Sequence, residues 1–309
     1  MGKVQRIISI VQKSPRRRFF DRIRNMVERI IISNPKQLQK SKKAISEGGT
    51  DKLHIIADFD KTLTTAFVND KKMPSIISIL RDGNYLTPDY GSKANKLYNK
   101  YHPIEIDPKI PLEEKKEAMY EWWTIHFDLL IKSGLNKNDL KKVVESRKAK
   151  LRPGFTEFID FLRTHNIPLV IMSSGGLGGD AISMYLKKEG KLYNNIHIIS
   201  NSYEWDKNNN AIAVKPPIIH IMNKDETAIQ DFPVFDEIKD RKNILLLGDS
   251  LGDVGMIEGF DYENLIKIGF LNENAEENLG SYKSNYDVII LNDSSMDYIN
   301  DLLKEMMKN

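Results

Sequence analysis

Three apolar residues, Ile55, Ile56 and Ala57, run straight into Asp58-Phe59-Asp60-Lys61-Thr62-Leu63-Thr64. A short apolar run of this kind reads as a buried strand of a parallel sheet. Asp58 and Asp60 then stand at its carboxyl end, where open α/β sheets bind ligands. Two carboxylates so placed repel each other unless a cation lies between them. A hard cation such as Mg²⁺ takes oxygen ligands and leaves room for a phosphate. The competing reading is a strand end whose acids cap the helix that follows.

The same arrangement recurs down the chain. The apolar run 168–172 ends in Ser173-Ser174-Gly175-Gly176. Hydroxyls and backbone N–H groups at a strand end, followed by a helix start, suit an anion. The most apolar run, 243–247, leads into Gly248-Asp249-Ser250-Leu251-Gly252-Asp253, a second acidic cluster. Between them lie Lys215 and Lys224, and either could reach a phosphate as a point charge. Spacing alone does not choose. Further strands are expected at 196–200, 265–270 and 286–291, with a hairpin over 201–215. A helix is expected from Asn34 to Glu47, with Pro35 in its first turn and Gly48-Gly49 at its end. A closing helix is expected over 295–307.

Residues 65–152 carry helical rather than strand patterning, clearest at 113–132 and again at 138–150. A helical insertion directly after the first strand is expected to cap the site, excluding water and selecting the substrate. Trp122 and Trp123 point to different faces of one helix. One belongs in the core, and the other is free to stack on a flat ring. Glu121, on residue chemistry alone, reads as a surface acid paired with a nearby Lys.

Composition narrows the function classes. The chain has no cysteine, which excludes disulfides, thiolate metal sites and a Cys nucleophile. No apolar run approaches the roughly 20 residues needed to span a bilayer. The net charge of +3 hides an asymmetry: residues 1–45 hold 13 Lys and Arg against Asp21 and Glu28, leaving the remainder at −8. Phe19, Phe20, Ile23, Met26, Val27, Ile30 and Ile31 share one helical face in this basic arm. Such a helix lies on an anionic membrane, serves as a transit peptide, or docks on its own protein. Docking or partial disorder is the preferred reading, and binding to a membrane or partner through residues 1–33 is the alternative from another class.

A strand-end Asp pair, a strand-end Ser, a Lys and a second Asp pair, in that order, resemble the four motifs of the haloacid dehalogenase (HAD) superfamily. From Asn34 onward the chain is similar to the cytosolic 5'-nucleotidase III, or pyrimidine 5'-nucleotidase, family. The residues that carry this are 55–60, Glu105-Ile106-Asp107-Pro108, Glu121-Trp122, His220-Ile221-Met222-Asn223-Lys224, 246–253 and 268–272. The resemblance implies an α/β fold, a HAD-like parallel sheet core with a helical cap inserted after the first strand. The expected domains are a basic extension (1–33), the catalytic core (34–65 and 152–309) and the cap (66–151).

It further implies Asp58 as nucleophile and Asp60 as general acid/base. Mg²⁺ would be held by the Asp58 carboxylate, the Asp60 backbone carbonyl and Asp249. Ser173, the Ser174 backbone and Lys224 would bind phosphate, with Asp253 in support. The Asn-Lys pair selects Lys224 over Lys215, and Glu121 becomes the residue that recognises the base. Ser174 stands where the family usually has alanine. The implied activity is hydrolysis of nucleoside 5'-monophosphates, CMP and UMP foremost, in the cytoplasm, with nucleoside phosphotransfer a possible companion and no nucleic-acid polymer as partner. A phosphatase of phosphoserine type is the runner-up.

Overall fold

The computed structural model describes residues 29–107, 109–225 and 232–308. The basic arm up to residue 28 lies outside the described residues, as does Pro108. In chain order the elements are β1 (Ile30–Ile32), α1 (Pro35–Gly48), β2 (Leu53–Ala57), the small hairpin β3 (Phe67–Val68) and β4 (Lys71–Lys72), α2 (Ile76–Asp82), α3 (Tyr90–Ile106), α4 (Leu112–Lys132) and α5 (Lys137–Glu145). Then come α6 (Phe155–Thr164), β5 (Leu169–Ser173), α7 (Gly178–Lys188), β6 (Ile196–Ser200), the hairpin β7 (Ser202–Trp205) and β8 (Ala211–Lys215), α8 (Val234–Ile238), β9 (Asn243–Gly248), β10 (Asn264–Leu271), α9 (Ala275–Asn285), β11 (Val288–Leu291) and α10 (Asp297–Met306).

Seven strands form one sheet in the order β1-β11-β10-β9-β2-β5-β6. Every pairing is parallel except that of β1 with β11. All residues of β2, β5 and β9 are buried, as a central strand covered on both faces requires. Alternate residues feed opposite layers. Ile55, Ala57, Leu169, Ile171, Leu245 and Leu247 join one core, and Ile56, Val170, Met172, Ile244 and Leu246 the other.

Two local expectations are corrected. Ile30 and Ile31, assigned by spacing to an apolar helical face, lie in β1, with Ile30 opposite Ile290 and Ile31 opposite Ile289. Three consecutive isoleucines are stiff at χ1 and suit a pleated edge better than a helix. The sheet therefore begins ahead of residue 34. The second correction is α5, which ends at Glu145 rather than Lys150. The Ser146 hydroxyl turns back onto the Val143 carbonyl at 2.6 Å, and Arg147 takes a left-handed φ of 56°. Helix α1 forms as expected. The Asn34 side chain accepts from Gln37 N–H, and Gly49 closes the helix with φ of 70°.

The segment between β2 and β5 leaves and returns side by side, with Thr64 bridged antiparallel to Leu151. Its longest helix, α4, buries Met119, Trp122, His126, Phe127 and Leu130, an apolar stripe at helical spacing. The hairpin β7–β8 packs against this segment. Phe127 meets Tyr203 edge-on at 5.8 Å, and Ala211 N–H donates to the Leu135 carbonyl at 2.8 Å.

Candidate active site

Strands β9, β2 and β5 are neighbours, so their carboxyl ends bring Asp249, Asp58 and Ser173 together. With Asp60, Ser174 and Asp253 these residues line a cavity of about 620 Å³. Asp58 N–H donates to the Leu247 carbonyl at 3.0 Å, which locks the residue to the sheet. Its Oδ1 accepts from Lys224 Nζ at 2.6 Å, and the same ammonium donates to Asp253 Oδ1 at 2.9 Å. Asp253 Oδ2 accepts from Asp249 N–H, Ser250 N–H and the Ser250 hydroxyl at 3.1, 3.0 and 2.9 Å. Asp253 therefore braces both Lys224 and the turn after β9. That turn needs Gly248, because a Cβ there would lie 2.5 Å from Asp253 Cβ.

The charges follow from burial. Burial pulls the Lys224 ammonium down, but the carboxylates of Asp253 and Asp58 outweigh it and raise the group above its usual value. Burial pushes Asp58 up to about 7 against the pull of Lys224. Burial likewise lifts Asp60 to about 6, and a hydrogen bond from Ile76 N–H to Asp60 Oδ1 at 3.3 Å partly offsets it. Asp249 is raised well above the ordinary carboxylate range by burial, then by Asp253 and Asp58.

Carboxylate oxygens of Asp58, Asp249 and Asp253 lie within 4.8 Å of one another. Both Asp253 oxygens are committed to donors, which leaves Asp58 and Asp249 as the pair able to hold a cation. Hard oxygens, buried and mutually repelling, fit Mg²⁺. The Asp60 carboxylate stands outside this cluster and faces α2.

The outer wall of the cavity comes from α2, α3 and α4 through Arg81, Tyr98, His102, Glu105 and Trp123. Tyr98 and His102 stack with centroids 4.6 Å apart, and His102 Nδ1 lies 2.9 Å from Glu105 Oε2. Trp122 is core, and Trp123 is half-buried on the cavity, which separates the two indoles as their positions suggested. Their rings nonetheless stack at 5.7 Å. Gly176 lets the wall close in, because a Cβ there would come within 2.7 Å of the Trp123 ring.

Glu121 is a correction. It does not line the cavity; its side chain is 57% exposed and faces Lys100 Nζ at 3.6 Å. Helical register explains this. Trp123, two residues on, is turned by about 200° around the axis, so both cannot face the same cavity. Glu105, which the sequence offers only within the Glu-Ile-Asp-Pro stretch, does line it. Tyr98, His102 and Glu105 follow i, i+4, i+7 spacing, the available signal that they share a face.

A largely parallel sheet with acids and a serine at its strand ends, and helices inserted after the first Asp, defines a HAD-like fold with a site suited to a phosphate ester. A HAD family hydrolase from Salmonella enterica serovar Typhi shares the fold at a TM-score of 0.55 and 18% identity, over 82% of this chain and 72% of that one. Closer kinship is specific. The sequence model described as pyrimidine 5'-nucleotidase (UMPH-1) matches residues 61–307. The chain belongs to that family and is a 5'-nucleotidase. It is 35% identical to the 7-methylguanosine phosphate-specific 5'-nucleotidase of Gallus gallus, over 89% of this chain and 95% of the relative. The crystal structure of cytosolic 5'-nucleotidase IIIB bound to cytidine matches with a TM-score of 0.83 and 28% identity, over 91% of this chain and 94% of that one.

Proposed function

We propose that the protein hydrolyses CMP and 7-methylguanosine 5'-monophosphate in preference to UMP, through a phosphorylated Asp58. The observation that carries the base preference is Glu105, a carboxylate on the cavity wall beside His102 of the stacked Tyr98–His102 pair. A carboxylate only accepts hydrogen bonds. It suits the amino group of cytosine and the N–H edge of 7-methylguanine, and opposes the carbonyl that uracil presents instead. The cationic 7-methylguanine ring also gains from the aromatic ring of Trp123 on the cavity wall. Relatives named for 7-methylguanosine phosphate, and a structural relative bound to cytidine, support both substrates.

Chemistry follows from the inner residues. The Asp58 carboxylate attacks phosphorus and forms an acyl phosphate as the bond to the 5'-oxygen breaks. Asp60, raised to about 6 by burial and so within reach of both protonation states, gives a proton to that oxygen and then takes one from the water that cleaves the acyl phosphate. Lys224, the Ser173 hydroxyl and the Ser174 N–H hold the phosphate oxygens. Mg²⁺ held by Asp58 and Asp249 would supply charge neutralisation for the phosphate dianion. The helical segment 66–151 serves as the cap that selects the base. No described helix is long and apolar enough to cross a membrane; the name of the cytidine-bound relative supports a cytosolic location for this chain too.

Phosphate release from CMP, 7-methylguanosine 5'-monophosphate, UMP, AMP and phosphoserine, with and without Mg²⁺, tests the proposal. Turnover of the first two, abolished in Asp58→Asn, is expected. A preference for phosphoserine, or for UMP over CMP, overturns it.

A further inference from the structure

Arg152 sits at the point where the inserted segment returns to the core, and it is 1% exposed. A guanidinium has five N–H donors in a fixed fork. Five acceptors surround this one. Nε donates to the Thr62 carbonyl at 2.7 Å. Nη1 donates to Asp293 Oδ1 at 2.9 Å and the Ser294 carbonyl at 2.8 Å. Nη2 donates to the Lys61 carbonyl and to Asn272 Oδ1. The planar group also lies 4.0 Å over the Phe270 ring. Burial pulls its pKa down to about 10, so it stays charged.

These partners are not scattered. Lys61 and Thr62 are the turn directly after Asp60. Lys61 is left-handed, with φ of 61°, a conformation that a non-glycine residue holds only when its surroundings enforce it. Its carbonyl also accepts from Asn272 Nδ2 at 3.0 Å. Asp293, the ion-pair partner of Arg152, accepts from Ala66 N–H and Phe67 N–H at 2.9 and 2.8 Å. One buried pair thus grips the outgoing chain at Ala66-Phe67, the returning chain at Arg152, and the turn between them. Asp58 is fixed independently by its backbone bond to Leu247 of β9 and by Lys224, whereas Asp60 depends on this turn and on Ile76 of the insert.

We propose that Arg152, with Asp293 and Asn272, is a positioning device for the Asp60 carboxyl. It sets the direction of the proton donor relative to both crossings of the inserted segment while leaving the Asp58 nucleophile in place. The inference rests on the reading of Asp60 as the acid given above.

Leaving-group chemistry separates this role from a purely structural one. A nucleoside 5'-oxygen leaves only with a proton, whereas p-nitrophenolate leaves without one. Lysine has three donors and no fork, so Arg152→Lys cannot serve the five acceptors that tie the turn to Asp293 and Asn272. In the full-length protein, Arg152→Lys should lower kcat on CMP by about 10²-fold while p-nitrophenyl phosphate turnover falls less than about threefold. Asn272→Leu, a milder change that removes one donor from Lys61, should shift the ratio of the two rates the same way by about tenfold. Thermal melts confirm that each variant is folded at the assay temperature. Equal losses on both substrates, or no loss on either in a folded variant, overturn the proposal. Wild type that cleaves phosphoserine but no nucleotide would sink the nucleotide reading alone, and the same ratio is then read with phosphoserine.

Discussion

Lys224 Nζ lies 2.6 Å from Asp58 Oδ1, and the lysine side chain has no solvent exposure. The proposed nucleophile is therefore held in a buried ion pair that an arriving phosphate must share. The same ammonium neutralises Asp253, which is 1% exposed. Lys224→Met would strand these carboxylates in the core at a cost of about 3–5 kcal/mol, the usual penalty for breaking one half of a buried pair. Urea unfolding should show that loss, and phosphate release should vanish at temperatures where the variant remains folded. Wild-type stability in Lys224→Met would mean that the pair carries no uncompensated charge.

Two glutamates on neighbouring helices separate the readings of base recognition. Glu105 lines the cavity, and Glu121 faces solvent and Lys100. A hydrogen bond to a charged acceptor contributes about 1.5–3 kcal/mol, so Glu105→Gln should lower kcat/KM on CMP by about 10- to 100-fold. The UMP rate should change less, because the uracil carbonyl gains nothing from the carboxylate. Glu121→Gln removes only a surface ion pair and should leave both rates within about twofold of wild type. The opposite pattern would return base recognition to Glu121.

This contrast shows what a sequence displays and what it hides. β2, β5 and β9 are legible because strands covered on both faces read as unbroken apolar runs, and each ends in its site residue. Asp58, Asp60, Ser173, Ser174, Asp249 and Asp253 reach the cavity in consequence. β1 was hidden because Ile30 and Ile31 also satisfy a helical spacing, and only pairing with β11 decides between them. Residue chemistry favoured a surface pairing for Glu121, and the family resemblance displaced that reading. Glu105 escaped notice because a helix facing a wet cavity carries polar side chains on its inner face, so apolar periodicity does not mark it. Arg152 is marked in the sequence only by the Pro153-Gly154 break that follows it. Its five acceptors come from three separate stretches of chain, 61–62, 272 and 293–294, a convergence that appears only on folding.

Two buried histidines make the fold acid-sensitive. His54 is 1% exposed and His126 is 6% exposed. Burial draws each imidazole from 6.5 to about 4, reinforced at His126 by Arg81. The unfolded chain therefore binds more protons between these values. The stability is fully present above 6.5 and is lost as pH falls toward 4. Each group accounts for about 3 kcal/mol over that window, at 1.36 kcal/mol per pKa unit. Urea midpoints should fall steadily from pH 7 to pH 4. His54→Leu should flatten part of that fall, even if it changes the stability at pH 7. An unchanged slope would show that His54 protonates in the folded state without penalty.

Asp58 and Asp249 link metal binding to protons. Burial raises both, Asp58 to about 7 and Asp249 well above the ordinary carboxylate range. Raised in this way, the pair takes up protons as pH falls through neutrality, and a divalent cation must displace them, because the ligand form is the carboxylate. Adding Mg²⁺ at pH 7 to weakly buffered protein should release protons, and the apparent affinity should weaken as pH falls. Binding to the folded state alone also raises Tm with Mg²⁺ concentration. Asp249→Asn removes one charged ligand and one source of repulsion. It should abolish the proton release and the Tm shift together while leaving a folded protein. Proton release that persists in Asp249→Asn would place the cation elsewhere.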